Sequence, residues 1–305
     1  MKLLLSTAVT VCSLAVQFTL AQSPLTTYVE SVRQGSYAPV PSAILNDTAR
    51  ASQYLQALPT YQTDTLTTVR SRAYNIAARL GQRSSDPTVR QTAVGQLIGG
   101  IGDADRGISG NNTAALTRFR REDFTAEAQD QLLSYLQPTT PHLDQVAMLA
   151  GFVQPPGVQA ALQALLGEKL SATTRWAVQL ARARSGDEVA TNYILSRLAS
   201  APVNDVLVYE LVPGLIYTRQ SAVFDYLQKL ILSDVPNCQS ADPDSQQKIL
   251  CGYRVMEALA PALTDFPVAV DQYGELLADD YEQALERVRD WLREQTTWPM
   301  RTEVY

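Results

Sequence analysis

The chain holds one histidine, His142 in "TTPHLDQ". Any Ser-His-Asp or Cys-His mechanism, and any histidine-bound metal, must therefore run through it. At the start of an expected helix it reads as a surface or capping residue. "SQQK", Ser245 to Lys248, has the spacing of a serine nucleophile served by a lysine base, but the S-D-N and K-T-G elements that complete that chemistry do not occur. "DADRGISGNN" offers Asp103, Asp105 and Asn111 as oxygen ligands, without the register or terminal glutamate of a calcium loop. Asp279-Asp280 could be an acid pair, yet adjacent carboxylates at a helix start are also what the helix dipole favours. No catalytic residue, metal site or cofactor is expected.

The stretch "DPTVRQTAVGQLIGGIGD", residues 86–103, packs four glycines into eight positions. A phosphate cradle needs G-x-G-x-x-G after a strand. Here Asp105 stands where the third glycine belongs, Val89, Ala93, Leu97 and Ile101 recur every four residues as in a helix, and Asp103 and Asp105 would repel an anion. The one dense basic cluster is "TRFRRED", with Arg118, Arg120 and Arg121 around Phe119. It is a solvated stretch bonded to nearby carboxylates or, alternatively, a contact for a partner or an anion. Asn46-Asp47-Thr48 and Asn111-Asn112-Thr113 are formal glycosylation sequons.

These groups need a scaffold, and the ends of the chain say where it works. "MKLLLSTAVTVCSLAVQFTLAQS" has the basic start, apolar run and small-residue site of a secretory signal peptide, residues 1–21, cleaved near Ala21. The run is too short for a membrane helix, and no transmembrane segment is expected after its removal. Export to the periplasm or the extracellular space follows, and Cys12 leaves with the signal. The remaining pair, Cys238 and Cys251, reads as a disulfide closing a local loop in an oxidising compartment, since it lacks the C-x-x-C spacing of a redox pair. Residues 22–200 carry 16 basic and 14 acidic side chains, whereas 201–305 carry 8 and 17. That acidic third argues against nucleic acid, which requires a basic footprint.

Residues 22–47, with Gly35, Pro39 and Pro41, read as an extended N-terminal segment. From 48 onward helices are expected to start near 48, 65, 87, 123, 141, 156, 171, 187, 203, 219, 245, 267 and 279. Between 141 and 219 the starts fall about 15 or 16 apart, so pairs recur about every 31 residues, a helical-hairpin period. "FTAEAQDQLLSYLQ" and "GVQAALQALLGEKL" carry one-sided apolar stripes, and no strand-like alternation is sustained. The fold class is all-α. Ser171 and Asp187 read as N-caps. Pro213 is expected to kink or end a helix. "GDADRGISGNNTAAL" and "PNCQSADPDSQQ" are expected as long loops, where binding residues tend to sit.

The glycine-rich stretch resembles the short HEAT-like repeat, a helical hairpin of about 30 residues, at Asp86, Pro87, Val89, Arg90, Ala93, Leu97, Gly102 and Asp103. "TTVRSRAYNIAARLG" matches at Val69, Arg70, Ala73, Leu80 and Gly81, and "TTRWAVQLARARSGD" at Arg175, Ala177, Leu180, Gly186 and Asp187. The resemblance implies an α-solenoid, an α-α superhelix of stacked hairpins over residues 48–234, followed by a helical part at 235–305 that could cap it. It also implies that Arg70, Arg90, Asp103 and Asp187 bond between neighbouring repeats. Such arrays leave an extended surface free, so the expected function is non-catalytic binding of a protein or peptide partner. An enzyme or small-ligand binder using the loops near 103–112 and 236–247 is the alternative.

Overall fold

Helix starts along this chain are set by short polar side chains and prolines. Asp86 accepts the Thr88 N–H where Pro87 occupies the first turn, a position at which a missing N–H costs nothing. Ser171 caps the helix after it through Thr174, Asp187 through Val189 and Ala190, and Asp280 through Gln283.

The computed structural model describes residues 23–240 and 244–305; the signal peptide expected at 1–21 and Cys12 lie outside them. The chain enters through α1 (Pro24–Arg33), α2 (Ser42–Leu45), α3 (Ala51–Ala57) and α4 (Pro59–Gln62). The central helices are α5 (Thr67–Arg83), α6 (Pro87–Gly99), α7 (Arg106–Leu116), α8 (Ala126–Ser134) and α9 (Leu143–Val153). Then come α10 (Val158–Leu165), α11 (Ala172–Arg184), α12 (Glu188–Leu198), α13 (Val212–Tyr217) and α14 (Ser221–Leu232). A two-stranded antiparallel ribbon, β1 (Cys238–Gln239) with β2 (Lys248–Ile249), precedes α15 (Gly252–Leu259) and α16 (Tyr281–Glu294). Among the described residues the structure is all-α apart from that ribbon and two isolated bridges. Among the described residues, no helix is long and apolar enough to cross a membrane.

Three expectations are corrected. Residues 22–47 are not simply extended: Ser23 caps α1, Pro24 opens it, and Leu25, Tyr28, Val29 and Val32 are buried on one stripe. The stretch expected as a loop around 105 is helix α7, capped by Asp105 and held by the buried Ile108, Ser109, Asn112, Thr113 and Leu116. Its glycines and asparagines are poor helix formers, and packing outweighs them. The helices expected to start near 245 and 267 do not form there. Cys238 is disulfide-bonded to Cys251 across the ribbon, α15 starts only at Gly252, and Val270 bridges to Leu276. The disulfide closes a short loop, which in chain entropy is worth about 3 kcal/mol. Pro213 sits just after a π-turn, Leu207–Leu211, that runs into α13; the widened turn accommodates the residue that lacks an N–H.

Packing is largely between near neighbours in the chain: α5 with α6 and α7, α6 with α8, α9 with α11, α11 with α12 and α13, and α14 with α15 and α16. The backbones of α9 and α11 approach closely, and a Cβ on Gly151 would lie 2.6 Å from Ala181 Cα. Many polar ties between the helices join residues 30 to 36 positions apart, as in Gln154 with Arg184 and His142 with Arg106, and four share one offset. Arg70 to Asp103, Gln82 to Ala115, Arg90 to Asp123 and Arg184 to Tyr217 each join residues 33 positions apart.

Candidate functional site

Helix α5 presents a polar stripe, Ser71, Asn75, Arg79 and Gln82, at the three- and four-residue spacing that puts side chains on one helix face. With Asn111, Asn112 and Ala115 of α7, and Arg118 just beyond it, this stripe encloses an open cleft of about 590 Å³. Arg83 also lines it and donates to Asn46 Oδ1 at 2.9 Å. No carboxylate lines the cleft, and neither Arg79 nor Arg118 has an ion-pair or side-chain hydrogen-bond partner among the described residues. Three guanidiniums thus face one concavity on a chain whose net charge is −6.

The walls are held parallel and in register. Arg70 of α5 donates from Nε and Nη2 to the two oxygens of Asp103, both at 2.9 Å, at the entry to α7. Twelve residues on, Gln82 Nε2 donates to the Ala115 carbonyl at 3.2 Å. A fork-to-fork pair of this kind adds geometric specificity to its charge. Burial alone would raise the Asp103 carboxyl, but the Arg70 bond and the Asp105 N–H outweigh it and hold the group below its ordinary value. A carboxyl so depressed contributes stability above its unfolded pKa, and that contribution is lost as pH falls through the folded one. Asp103→Asn is therefore expected to destabilise the protein by about 2 kcal/mol at neutral pH. In urea titrations the gap to the parent should close as pH falls below about 4.

Gly100, in the glycine-rich stretch of residues 86–103, makes room for the floor of the cleft. A Cβ on Gly100 would lie 2.1 Å from Asn112 Nδ2 and 2.8 Å from the Tyr74 ring, so only glycine lets both side chains reach the site. Asn112 is 3% exposed and its Nδ2 has no hydrogen-bond partner. An unpaired buried amide of this kind carries a desolvation penalty of about 1–3 kcal/mol. Tyr74 beside it has its phenol raised by burial, then by the Asp103 charge.

The basic cluster at 118–121 is split by the structure. Arg118 lines the main cleft and an adjoining one of about 400 Å³. Arg120 is exposed and pairs with Glu122 at 3.4 Å. Arg121 turns the other way, donating to the Phe152 carbonyl at 2.9 Å and lying over the Phe152 ring; burial lowers its pKa. The pairings expected between repeats divide as well. Arg70 with Asp103, and Arg90 with the buried Asp123 at 2.7 Å, each link separate helices. Asp187 instead bonds Arg182, five residues before it, at 2.7 Å, across the turn that it caps.

The remaining candidates are occupied locally. His142 takes a left-handed backbone conformation at the start of α9 and makes no side-chain cap; its Nε2 donates to the Arg106 carbonyl at 3.0 Å, tying α9 to α7. Asp105 caps α7 through the Ile108 N–H. Ser245 Oγ accepts the Gln247 N–H in its own turn. Among the described residues, no group of three histidine, cysteine or acidic side chains could hold a metal ion.

Sequence reasoning missed Arg79, Arg83, Tyr74 and Asn112. The spacing of Ser71, Asn75, Arg79 and Gln82 was the available signal for the α5 wall. No family model matches the chain and no curated protein matches it, so the chemistry of the cleft carries the functional assignment.

Proposed function

We propose that the protein is an exported, non-catalytic scaffold of HEAT-like helical hairpins that binds a protein partner by seating an acidic segment of it in the α5–α7 cleft. The observation that carries this is the set of unpaired guanidiniums, Arg79 and Arg118, above the unsatisfied Asn112 amide in a cleft without carboxylates. Arginine clusters recognise acidic and phosphorylated segments through charge-assisted, often bidentate bonds. Four inter-helix ties share a 33-residue offset and others span 30 to 36, a spacing that supports a hairpin unit of about that length, and the disulfide supports export to an oxidising compartment.

The test is fluorescence anisotropy of a labelled peptide of mixed aspartate and glutamate, titrated with the chain from Gln22 at low and at high salt. Binding should weaken with salt, and Arg79→Glu combined with Arg118→Glu should weaken it by roughly tenfold or more. The same affinity in the double variant would place the contact elsewhere. Binding of free phosphate or citrate without binding of the peptide would assign the cleft to a small anion instead.

A further inference from the structure

Residues 301–305 lie across the ends of α9, α11 and α13, touch none of the residues that line the α5–α7 cleft, and are gripped by two arginines. Arg184, 4% exposed, donates from Nη1 to the Tyr217 carbonyl at 2.8 Å. Its Nη2 reaches the carbonyls of Thr302 at 3.0 Å and Val304 at 2.8 Å. Arg219 donates from Nε to the Arg301 carbonyl at 2.8 Å and from Nη2 to that of Tyr305 at 3.4 Å. The Tyr305 ring packs between Phe152 and Tyr217, with centroids 5.7 and 5.1 Å away. Arg184 in turn lies over both of those rings.

The manner of holding is that of a receptor with its ligand. All the arginine contacts to the segment fall on main-chain carbonyls, whereas the side chains of Thr302, Glu303 and Val304 are exposed. The site therefore reads an extended backbone and one aromatic ring, with the Glu303 carboxylate adding a charge attraction to Arg219. The receptor groups are costly to maintain. Neither Arg184 nor Arg219 makes an ion pair among the described residues, and burial first of all lowers both guanidiniums to about 10. Arg219 also holds φ at 52°, a left-handed conformation that a non-glycine residue adopts only under constraint from its surroundings. A tail that needed anchoring alone could be held by apolar burial without two buried charges.

We propose that this groove is a binding site for an extended peptide segment bearing a tyrosine, occupied in cis by residues 301–305 and opened to a segment of the same chemistry in trans when they leave. The cis segment competes at an effective concentration on the order of millimolar, so a trans peptide binds the unaltered chain weakly and a chain with a weakened tail much more tightly.

The probe is a fluorescent synthetic peptide with the sequence of residues 299–305, titrated against the full chain and against its Tyr305→Ala variant. The variant should bind the probe about tenfold or more tightly than the unaltered chain, and a probe with alanine in place of its tyrosine should bind neither. Equal affinity for the two chains, no binding to either, or equal binding of the ringless probe overturns the proposal. Should Tyr305→Ala not fold, hydrogen exchange of residues 299–305 in the unaltered chain decides: faster exchange with excess probe supports displacement, and unchanged exchange overturns it.

Discussion

Gly151→Ala lowers the stability of the protein, and Gly151→Val prevents it from folding at all. The added Cβ would stand 2.6 Å from both the Cα and the carbonyl oxygen of Ala181, and 2.7 Å from the Tyr217 hydroxyl. Two of those three atoms are backbone, so the clash is relieved only by moving α9 away from α11. Alanine gains roughly 1 kcal/mol of helix propensity over glycine, but forced overpacking costs about 3 kcal/mol when the neighbour cannot yield. A net loss of about 2 kcal/mol is expected for alanine, read as a lower urea midpoint at unchanged slope. Valine adds two methyls to the same clash and should leave no cooperative transition. A neutral or stabilising Gly151→Ala would mean that α9 and α11 do not approach as described.

Arg184→Ala carries the second large effect. Truncation leaves the Tyr217 carbonyl without its donor in a buried site, releases the carbonyls of Thr302 and Val304, and opens a void between Phe152 and Tyr217. The unsatisfied carbonyl costs about 1–3 kcal/mol, and the lost cation–π contacts and packing bring the total to about 3–5 kcal/mol. Arg184→Met should cost less, because it fills the volume and removes a buried charge whose desolvation already opposes folding. Thermal melts of the pair test the order. Equal destabilisation would show that the hydrogen bonds alone matter, and a methionine variant worse than alanine would contradict the packing described.

What the sequence made legible was local. In α6 the cap Asp86, the first-turn Pro87 and the buried stripe Val89, Ala93 and Leu97 all lie within one turn or a few of each other, where helix rules operate. The partner of Gly100 does not: the glycine gives room to Asn112, twelve residues on and in another helix, and that helix was itself obscured by Gly107, Gly110, Asn111 and Asn112. Helix α1 was hidden by Gly35 and the prolines after it, although Ser23, Pro24 and the Leu25, Tyr28, Val29, Val32 stripe are the ordinary signs of a capped amphipathic helix. The resemblance to HEAT-like repeats implied inter-helix bonds for Arg70 and Asp103 without naming their partners, and the structure pairs the two with each other. Asp187 has the same local surroundings, yet its arginine comes from its own preceding helix; local pattern cannot choose between the two. The groove of Arg184, Arg219 and Tyr305 unites positions up to 120 residues apart, a distance that no periodicity records.

If the α5–α7 cleft receives an acidic segment of another protein, that segment lies beside the α7 wall. The most direct measurement places a photo-crosslinking amino acid at the exposed Asn111, on that wall, and maps the crosslinked peptide by mass spectrometry in the compartment where the protein resides. The expected result is one stoichiometric partner joined through a segment rich in aspartate and glutamate, with the crosslink lost in the Arg79→Glu, Arg118→Glu background. A crosslink to a neutral or basic segment, or one that survives both charge reversals, would contradict it.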